Sequence, residues 1–444
     1  MSRILIKETI EKVGEEVLVQ GWVLTRRDLG KLVFLDLGDR TGSLQVVCEL
    51  KNMALPEGIK EQWVLQIKGK IAKRPEKLVN KDSITGGIEM QASEIVVLAK
   101  SEILPFELKN IKEVSMPVVL DHRPFSLRAP ELKAIFKVQE KLIDGFREHL
   151  KANDFTEFQA SGLVGVATEG GSEVFHVDYY DYDAYLAQSP QFHKQMLVGV
   201  YERVLTVTKA YRAEPHATSR HLSEYVSLDA EMGFINSWED IMVMCEGTLK
   251  AMMGKALQEV DACKIYNVEP LDLSRPIPRI KLREAQKLLG VSTDEPDLAP
   301  EDERKICEWA KKEYGSDFIF ITHFPTKKRP FYTYPDPQDP EYTLGFDLLF
   351  KGLEIVTGGQ RINDYEQLLA NIKKWGNKPE DFEMYLEAFK YGMPPEGGFA
   401  IGIERVTKQF LGLDNVANAS LFPRDMERID IRLSTVQERK TKKQ

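Results

Sequence analysis

The sequence predicts an α+β protein in which a small antiparallel β-barrel precedes a larger domain built on a mainly antiparallel sheet flanked by helices. Two observations carry this. Between Val17 and about Leu98, five short runs alternate apolar and polar residues and are rich in β-branched side chains: VLVQGWVL, KLVFLDLGD, GSLQVVCEL, WVLQIKGKIA and IEMQASEIVVL. A strand shows its side chains to opposite faces in turn, so this alternation marks a sheet with one dry face. After Pro130, strand-like and helix-like segments mix without regular βαβ alternation, which points away from a parallel, doubly wound sheet.

The barrel comes first. DLGK, DRTG and ITGG punctuate its runs, and five strands between residues 17 and 98 fit the size of an OB-fold. A proline-punctuated stretch from Leu104 to Arg128 lacks a clear period and reads as a hinge. The expected division is therefore 1–103 for the barrel, 104–127 for a hinge and linker, and 128–444 for the second domain.

From Pro130, the apolar positions Leu132, Ile135, Phe136, Leu142, Ile143, Phe146 and Leu150 follow helical spacing. The proline falls in the first turn, where its missing N–H costs nothing. Strand-like runs follow (EVFHVDYYD, RVLTVTKAYRAE, EYVSLDAEMGFI), then a helical pair from about Trp238 to Val260 and a charged helix near Glu301 to Tyr314. FDLLFKGLEIVTGG and GGFAIGIER read as strands, and Tyr365–Trp375 and Pro379–Tyr391 as helices.

Composition narrows the function. The 444 residues are 43% hydrophobic and 29% charged, which leaves room for two or three domains and a sizeable core. No run approaches the ~18 apolar residues of a membrane span, and MSRILIKETIEKVGEE has no signal-peptide pattern, so a cytoplasmic protein without membrane partners is expected. Cys48, Cys245, Cys263 and Cys307 are far apart and lack metal-ligand spacing, which predicts reduced thiols. The formal charge of −9 argues against non-specific nucleic-acid binding but leaves room for local basic patches.

Four polar segments stand out. YRAEPHATSRHLSEYVSLDAE holds Arg212, Glu214, Arg220, His221, Tyr225 and Asp229 between two strand-like runs, with Arg212 and Glu214 inside the alternating pattern and on one face. Charges there need partners, and an arginine fork beside a flat ring suits phosphate and nucleobase. GMPPEGGFAIGIERVTKQF pairs glycines with a strand and then Glu404 and Arg405; the glycines serve either close ligand approach or tight packing. FDLLFKGLEIVTGGQRIND carries Asp347, Glu354, Thr357 and Arg361, a set that suits magnesium or, alternatively, a buried Glu354–Arg361 ion pair. VATEGGSEVF and YLAQSPQFHKQ supply Glu169, Gln191 and Lys194, the last two on one face if a helix begins at Pro190.

In this order, over nearly the whole chain, these segments resemble the class II aspartyl-tRNA synthetases (subclass IIb) of the compact archaeal and eukaryotic type. The resemblance implies a class II catalytic domain after the barrel and the substrates ATP and L-aspartate with Mg2+. It also implies tRNA(Asp) as acceptor, with tRNA(Asn) left open, and a homodimer. It places Arg212 on the α-phosphate and substrate carboxylate, Glu214 and Tyr225 at the adenine, Arg405 on its other face, and Arg220 and His221 on the outer phosphates. Glu354, Thr357 and Asp347 would hold magnesium. Glu169 would take the substrate ammonium, and Gln191, Lys194, Asp229, Thr357 and Arg361 would shape the amino-acid pocket, with Arg212, Glu354 and Arg361 carrying the chemistry. In the barrel, Phe34 resembles the base-stacking aromatic and Gln45 the base reader, flanked by Arg26 and Arg27. A core position is the competing reading for Phe34.

The sequence departs from the family pattern at Ser161, where proline is usual, at Pro215 and Ala217, and at Glu396, which replaces the customary histidine before the glycines. An asparaginyl-tRNA synthetase is the nearest rival, and Lys194 opposes it, because neutral asparagine would leave a buried cation uncompensated. A tRNA-independent ligase that forms an amide through an adenylate is the rival from another class. The barrel argues against it. The apolar face of the Pro130–Leu150 helix serves either the dimer contact or the protein's own sheet.

Overall fold

The computed structural model describes residues 1–81, 83–167, 174–215 and 218–433. It divides into two compact units, Met1–Glu107 and Leu108–Gln444.

In the first unit, β1 (Glu16–Leu29), β2 (Leu32–Asp39), β3 (Gly42–Glu49), β4 (Val64–Lys73) and β5 (Ile88–Ala99) close into a barrel of order β1-β2-β3-β5-β4. Each strand coincides with one alternating run. The inward residues Val19, Val23, Leu35, Leu37, Leu44, Val46, Leu65 and Ile67 are fully buried. One expectation fails: β3 and β5 pair parallel, so the barrel is not wholly antiparallel.

The second unit is built on an eight-stranded sheet. Its strands are β6 (Thr156–Glu157), β10 (Arg203–Tyr211), β11 (Glu224–Gly233), β12 (Arg279–Lys281), β13 (Phe318–Thr322), β14 (Gly345–Phe350), β15 (Leu353–Gln360) and β16 (Glu396–Gly402). They run in the order β12-β13-β14-β15-β16-β11-β10-β6, antiparallel except where β12 meets β13 and β10 meets β6. A small second sheet pairs β9 (Tyr182–Leu186) with β7 (Leu163–Val164) and β8 (His176–Tyr179).

The Pro130–Lys151 helix begins at its proline, and Ala134, Ile135, Val138, Leu142, Phe146 and Leu150 form its buried stripe. That stripe packs within the chain, in one core with Leu228, Ala230, Phe399 and the Glu239–Ala256 helix, so the protein's own sheet accounts for it. The expected pair near Trp238–Val260 is one unbroken helix, with a separate short helix at Val260–Ile265. The stretch read as a hinge instead folds. It contains helices at Met116–Asp121 and Arg123–Ser126, and Arg123, buried to 2% exposure, donates to the carbonyls of Asn418, Ser420 and Leu421. All four cysteines are free thiols, and burial pushes Cys48 up to about 11 and Cys307 to about 12. Among the described residues no helix is long and apolar enough to cross a membrane.

Candidate active site

Strand period places the site. Along β11, Tyr225, Ser227, Asp229 and Glu231 share one face, while Leu228, Ala230 and Met232 on the other enter the core. Register then carries this polar face across the sheet. Asp229 lies opposite Ala400, Ala400 opposite Thr357, and Thr357 opposite Asp347. The next row is Glu231, Gly398, Gly359 and Gly345. Three glycines beside Glu231 leave the sheet bare there, and a Cβ on Gly398 would lie 2.2 Å from Glu231 Oε2. The floor so formed opens into a cavity of about 420 Å³, a usual size for a small-molecule site.

One end of this cavity is a buried charge cluster. The Gln191–Tyr201 helix begins after Pro190, which brings Gln191 and Lys194 to one face as the spacing predicts. Lys194 Nζ lies 2.9 Å from Asp229 Oδ2 and 3.0 Å from Glu231 Oε2, and its side chain is 1% exposed. Arg361 donates from Nε to Glu231 Oε1 at 2.8 Å and from Nη2 to the Gly398 carbonyl at 3.2 Å. The anticipated Glu354–Arg361 pair does not form, because the register sets Glu231, not Glu354, beside Arg361. Burial works against each of these charges, but the partners outweigh it: Asp229 and Glu231 hold the Lys194 ammonium above its ordinary value, and Arg361 and Lys194 hold the Glu231 carboxyl below its own.

The other end is looser. β10 stops at Tyr211, so Arg212 and Glu214 sit just past the strand rather than within it, although Arg212 N still bonds the Ser223 carbonyl at 2.9 Å. Arg212 Nη1 is 3.7 Å from Glu214 Oε1, and its guanidinium lies 5.6 Å from the Tyr225 ring centre. His221 Nε2 approaches Glu214 Oε2 at 3.8 Å, and Arg220 pairs with Glu303. Arg405, in the first turn of the Ile403–Leu411 helix, donates from Nη1 to Glu354 Oε2 at 3.2 Å and from Nε to the Arg220 carbonyl at 3.4 Å.

Between the two ends lie the residues that suit magnesium. Thr357 Oγ1 donates to Glu354 Oε1 at 2.7 Å, and Arg329 Nη2 to Asp347 Oδ2 at 2.7 Å. Asp347 Oδ1 is buried with no hydrogen-bond partner among the described residues. Burial pushes the Asp347 carboxyl up to about 7 against the pull of Arg329, and the Glu354 charge adds to the rise. An orphaned carboxylate oxygen next to a second carboxylate fits a hard divalent cation. No cluster of three His, Cys, Asp or Glu ligands occurs among the described residues, so phosphate oxygens and water would have to complete the shell.

The model of tRNA synthetases class II (D, K and N) matches residues 115–426, and that of the OB-fold nucleic acid binding domain matches 17–98. The chain belongs to the class II tRNA synthetases. It is 44% identical to the aspartate–tRNA(Asp/Asn) ligase of Thermus thermophilus over 96% of this chain and 99% of that one. It is 42% identical to the enzyme of the same name from Deinococcus radiodurans, over 97% and 99%. Among solved structures, asparaginyl-tRNA synthetase from Pyrococcus horikoshii complexed with asparaginyl-adenylate superposes with a TM-score of 0.89 at 30% identity, covering 97% of this chain and 99% of that one.

Within this synthetase, the barrel residues divide. Val33, Leu35 and Leu37 point inward, so Phe34 stands on the outer face and is not a core residue. Arg27 is its cross-strand neighbour, with the guanidinium 5.9 Å from the ring centre, and also reaches Gln45 Oε1 at 3.3 Å. Gln45 in turn donates to Glu89 at 3.0 Å. Arg26 does not join them: it pairs across from Leu35 and binds the Ile59 carbonyl and Asp28.

Glu169 and, of the departures from the family pattern, Ala217 fall outside the described residues, whereas Ser161, Pro215 and Glu396 are described. The paired glycines resolve toward packing, since a Cβ on Gly397 would meet Ile241 and one on Gly398 would meet the Ala230 carbonyl. Gly402 lines the cavity. Two neighbours in the cavity cluster escaped the sequence reading, Glu231 and Arg329, whereas Glu404 was singled out beside Arg405. Glu231 follows Asp229 by one strand period and was within reach of that argument, whereas Arg329 sits in TKKRPF, which has no period.

Proposed function

We propose that this synthetase activates L-aspartate with ATP, giving aspartyl-adenylate and pyrophosphate, and transfers the aspartyl group to the terminal ribose hydroxyl of tRNA(Asp), with tRNA(Asn) as a second acceptor. The observation that carries the choice of amino acid is the pair of buried cations at the closed end of the cavity. Arg361 uses Nε and Nη2 within the chain, while Nη1 has no bonded acceptor among the described residues, and both it and Lys194 line the cavity. A substrate carboxylate satisfies that donor. The amide of asparagine would offer the Arg361 guanidinium a neutral oxygen, a weaker acceptor than a carboxylate.

Chemistry at the open end is electrostatic. The substrate carboxylate attacks the α-phosphorus and pyrophosphate leaves. Arg212 neutralises the charge that gathers on the phosphoryl oxygens, Tyr225 and Arg405 sandwich the adenine beside Glu214, and Arg220 and His221 meet the outer phosphates. Glu169, Gln191 and Asp229 hold the amino acid in place. Glu354, Thr357 and Asp347 would hold magnesium, which supplies neutralising charge to phosphate oxygens when bound. In the second step the ribose hydroxyl attacks the aspartyl carbonyl and AMP leaves. Positioning supplies the rate in both steps, with no protein nucleophile. On the barrel, Phe34 would stack an anticodon base, with Gln45 and Arg27 reading its surroundings. A homodimer is part of this reading and is checked by light scattering in solution.

The Pyrococcus horikoshii neighbour favours asparagine as the rival substrate. ATP–pyrophosphate exchange driven by aspartate or by asparagine, followed by charging of both tRNAs, separates the two. Exchange with aspartate alone is expected, abolished by Arg212→Ala. Exchange with asparagine alone overturns the assignment, and exchange without charging of either tRNA indicates an amide-forming ligase.

A further inference from the structure

Glu396 opens β16 and is 0% exposed. Its Oε1 accepts a hydrogen bond from Gln195 Nε2 at 2.7 Å, and Gln195 is itself held through Oε1 by the Tyr385 hydroxyl at 3.0 Å and by Gln191 Nε2 at 2.8 Å. That network fixes which way the Glu396 carboxyl points. Its second oxygen, Oε2, is buried and receives nothing from any donor among the described residues, and the same is true of Glu231 Oε2 apart from its ion pair with Lys194. Register sets Gly398 opposite Glu231 and Glu396 opposite Gly233, so the two carboxyl side chains rise from the same face of adjacent strands one strand period apart, each with an unsatisfied buried oxygen.

Two carboxylates cannot share a hydrogen bond, because each is only an acceptor. A proton on one of them supplies the donor that both orphaned oxygens lack. Glu231 is the ionised member, since Arg361 and Lys194 both bind it. Glu396 has no cation at ion-pair distance among the described residues: it faces Gln195, which the Tyr385 hydroxyl holds, Glu231 from β11, and Arg361, whose N donates to the Glu396 carbonyl at 2.9 Å and whose charge acts on the carboxyl more weakly than that of Glu231. Burial, and then the Glu231 charge, accordingly push its carboxyl well above the ordinary range.

We propose that Glu396 is a positioning residue that acts as a neutral carboxylic acid, donating to Glu231 and so holding Glu231 in place to orient Arg361 toward the substrate side chain. The charge count supports it. Lys194 and Arg361 balance Asp229 and Glu231, and an ionised Glu396 would add an uncompensated negative charge where a substrate carboxylate has to bind. A glutamate can donate this hydrogen bond only while it keeps its proton.

The role in substrate binding rests on the aspartate reading above, but the protonation state does not, and the experiment separates them. Infrared difference spectra of the substrate-free protein, wild type against Glu396→Gln at neutral pH, should show the C=O stretch of a protonated carboxyl that the variant lacks. Absence of that band overturns the proposal whatever the substrate is. In aspartate-dependent exchange, Glu396→Ala should raise KM for aspartate on the order of tenfold to a hundredfold with KM for ATP unmoved. Glu396→Gln, which keeps a donor, should rescue most of that loss. A Glu396→Ala protein with the wild-type KM for aspartate, or a Gln variant no better than Ala, overturns the positioning role. Should aspartate support no exchange in the wild type, the function reading fails while the infrared band still decides the state of Glu396.

Discussion

The two ends of the cavity handle charge in opposite ways. At the closed end, Lys194, Asp229, Glu231 and Arg361 meet at 2.8–3.0 Å with side chains between 0 and 7% exposed. At the open end, Arg212 and Arg405 are 40% and 26% exposed and stand 3.7 and 3.2 Å from carboxylates that are themselves partly wet. Buried charges cannot change partners cheaply, whereas loosely held surface charges can. The closed end therefore suits recognition of one small side chain by a fixed field. The open end keeps its cations on weak partners that a polyphosphate can displace and later release.

The sharpest way to break this contrast is to remove one cation from the closed end. Lys194→Met leaves Asp229 and Glu231 buried without their shared partner, and should cost about 3–5 kcal/mol in urea unfolding as well as aspartate-dependent exchange. A loss below ~1 kcal/mol would mean that the cluster is solvated after all.

Glu404 tests whether burial or position along the cavity is the deciding variable. It neighbours Arg405 but is only 4% exposed and accepts from the Val226 N–H at 3.1 Å on both oxygens. Burial pushes its carboxyl up to about 7 from the ordinary 4.5, against those backbone hydrogen bonds. The unfolded chain gives up this proton near 4.5 and the folded chain holds it to about 7. Its contribution to stability is thus full below 4.5 and lost as pH rises to about 7, a fall of about 3 kcal/mol. Urea midpoints across that window should flatten in Glu404→Gln. An unchanged slope would remove Glu404 as its source.

Arg405→Ala probes the open end proper. It should lower kcat/KM for ATP in the exchange reaction by about 10²-fold, while unfolding free energy changes by less than ~1 kcal/mol. Function and stability separate there, as they do not at Lys194. A stability loss comparable to that of Lys194→Met would erase the distinction between the ends.

These contrasts mark how far the sequence could be read. Alternation located every barrel strand, because a strand with one dry face writes its geometry as a period of two, but it put Arg212 and Glu214 inside a strand that ends at Tyr211. The FIFIT run of β13 is buried on both faces, so its strand character leaves no alternation to detect. The stretch around Arg123 looked like a linker because its helices are short and are held by carbonyls of residues 418, 420 and 421, a contact that local pattern does not encode. Arg361 was identifiable as a buried cation, yet its partner depended on which strand lies alongside. Register supplied Glu231 where spacing alone had suggested Glu354.

The smallest expected effect on exchange comes from a residue at neither end. Phe34 stands on the outer face of the barrel, in the first unit, while Arg212, Lys194, Arg361 and Arg405 all belong to the second. If the cavity carries the whole of activation, Phe34→Ala leaves aspartate-dependent exchange at the wild-type rate and weakens only the step that needs tRNA. Loss of one stacked base should raise KM for tRNA by an amount equivalent to about 1–3 kcal/mol. Its side chain is only partly buried and outside the barrel core, so the thermal midpoint should stay near that of the wild type. A drop in exchange would mean that the barrel acts on the first chemical step, and the comparison of the two ends would then have to include it.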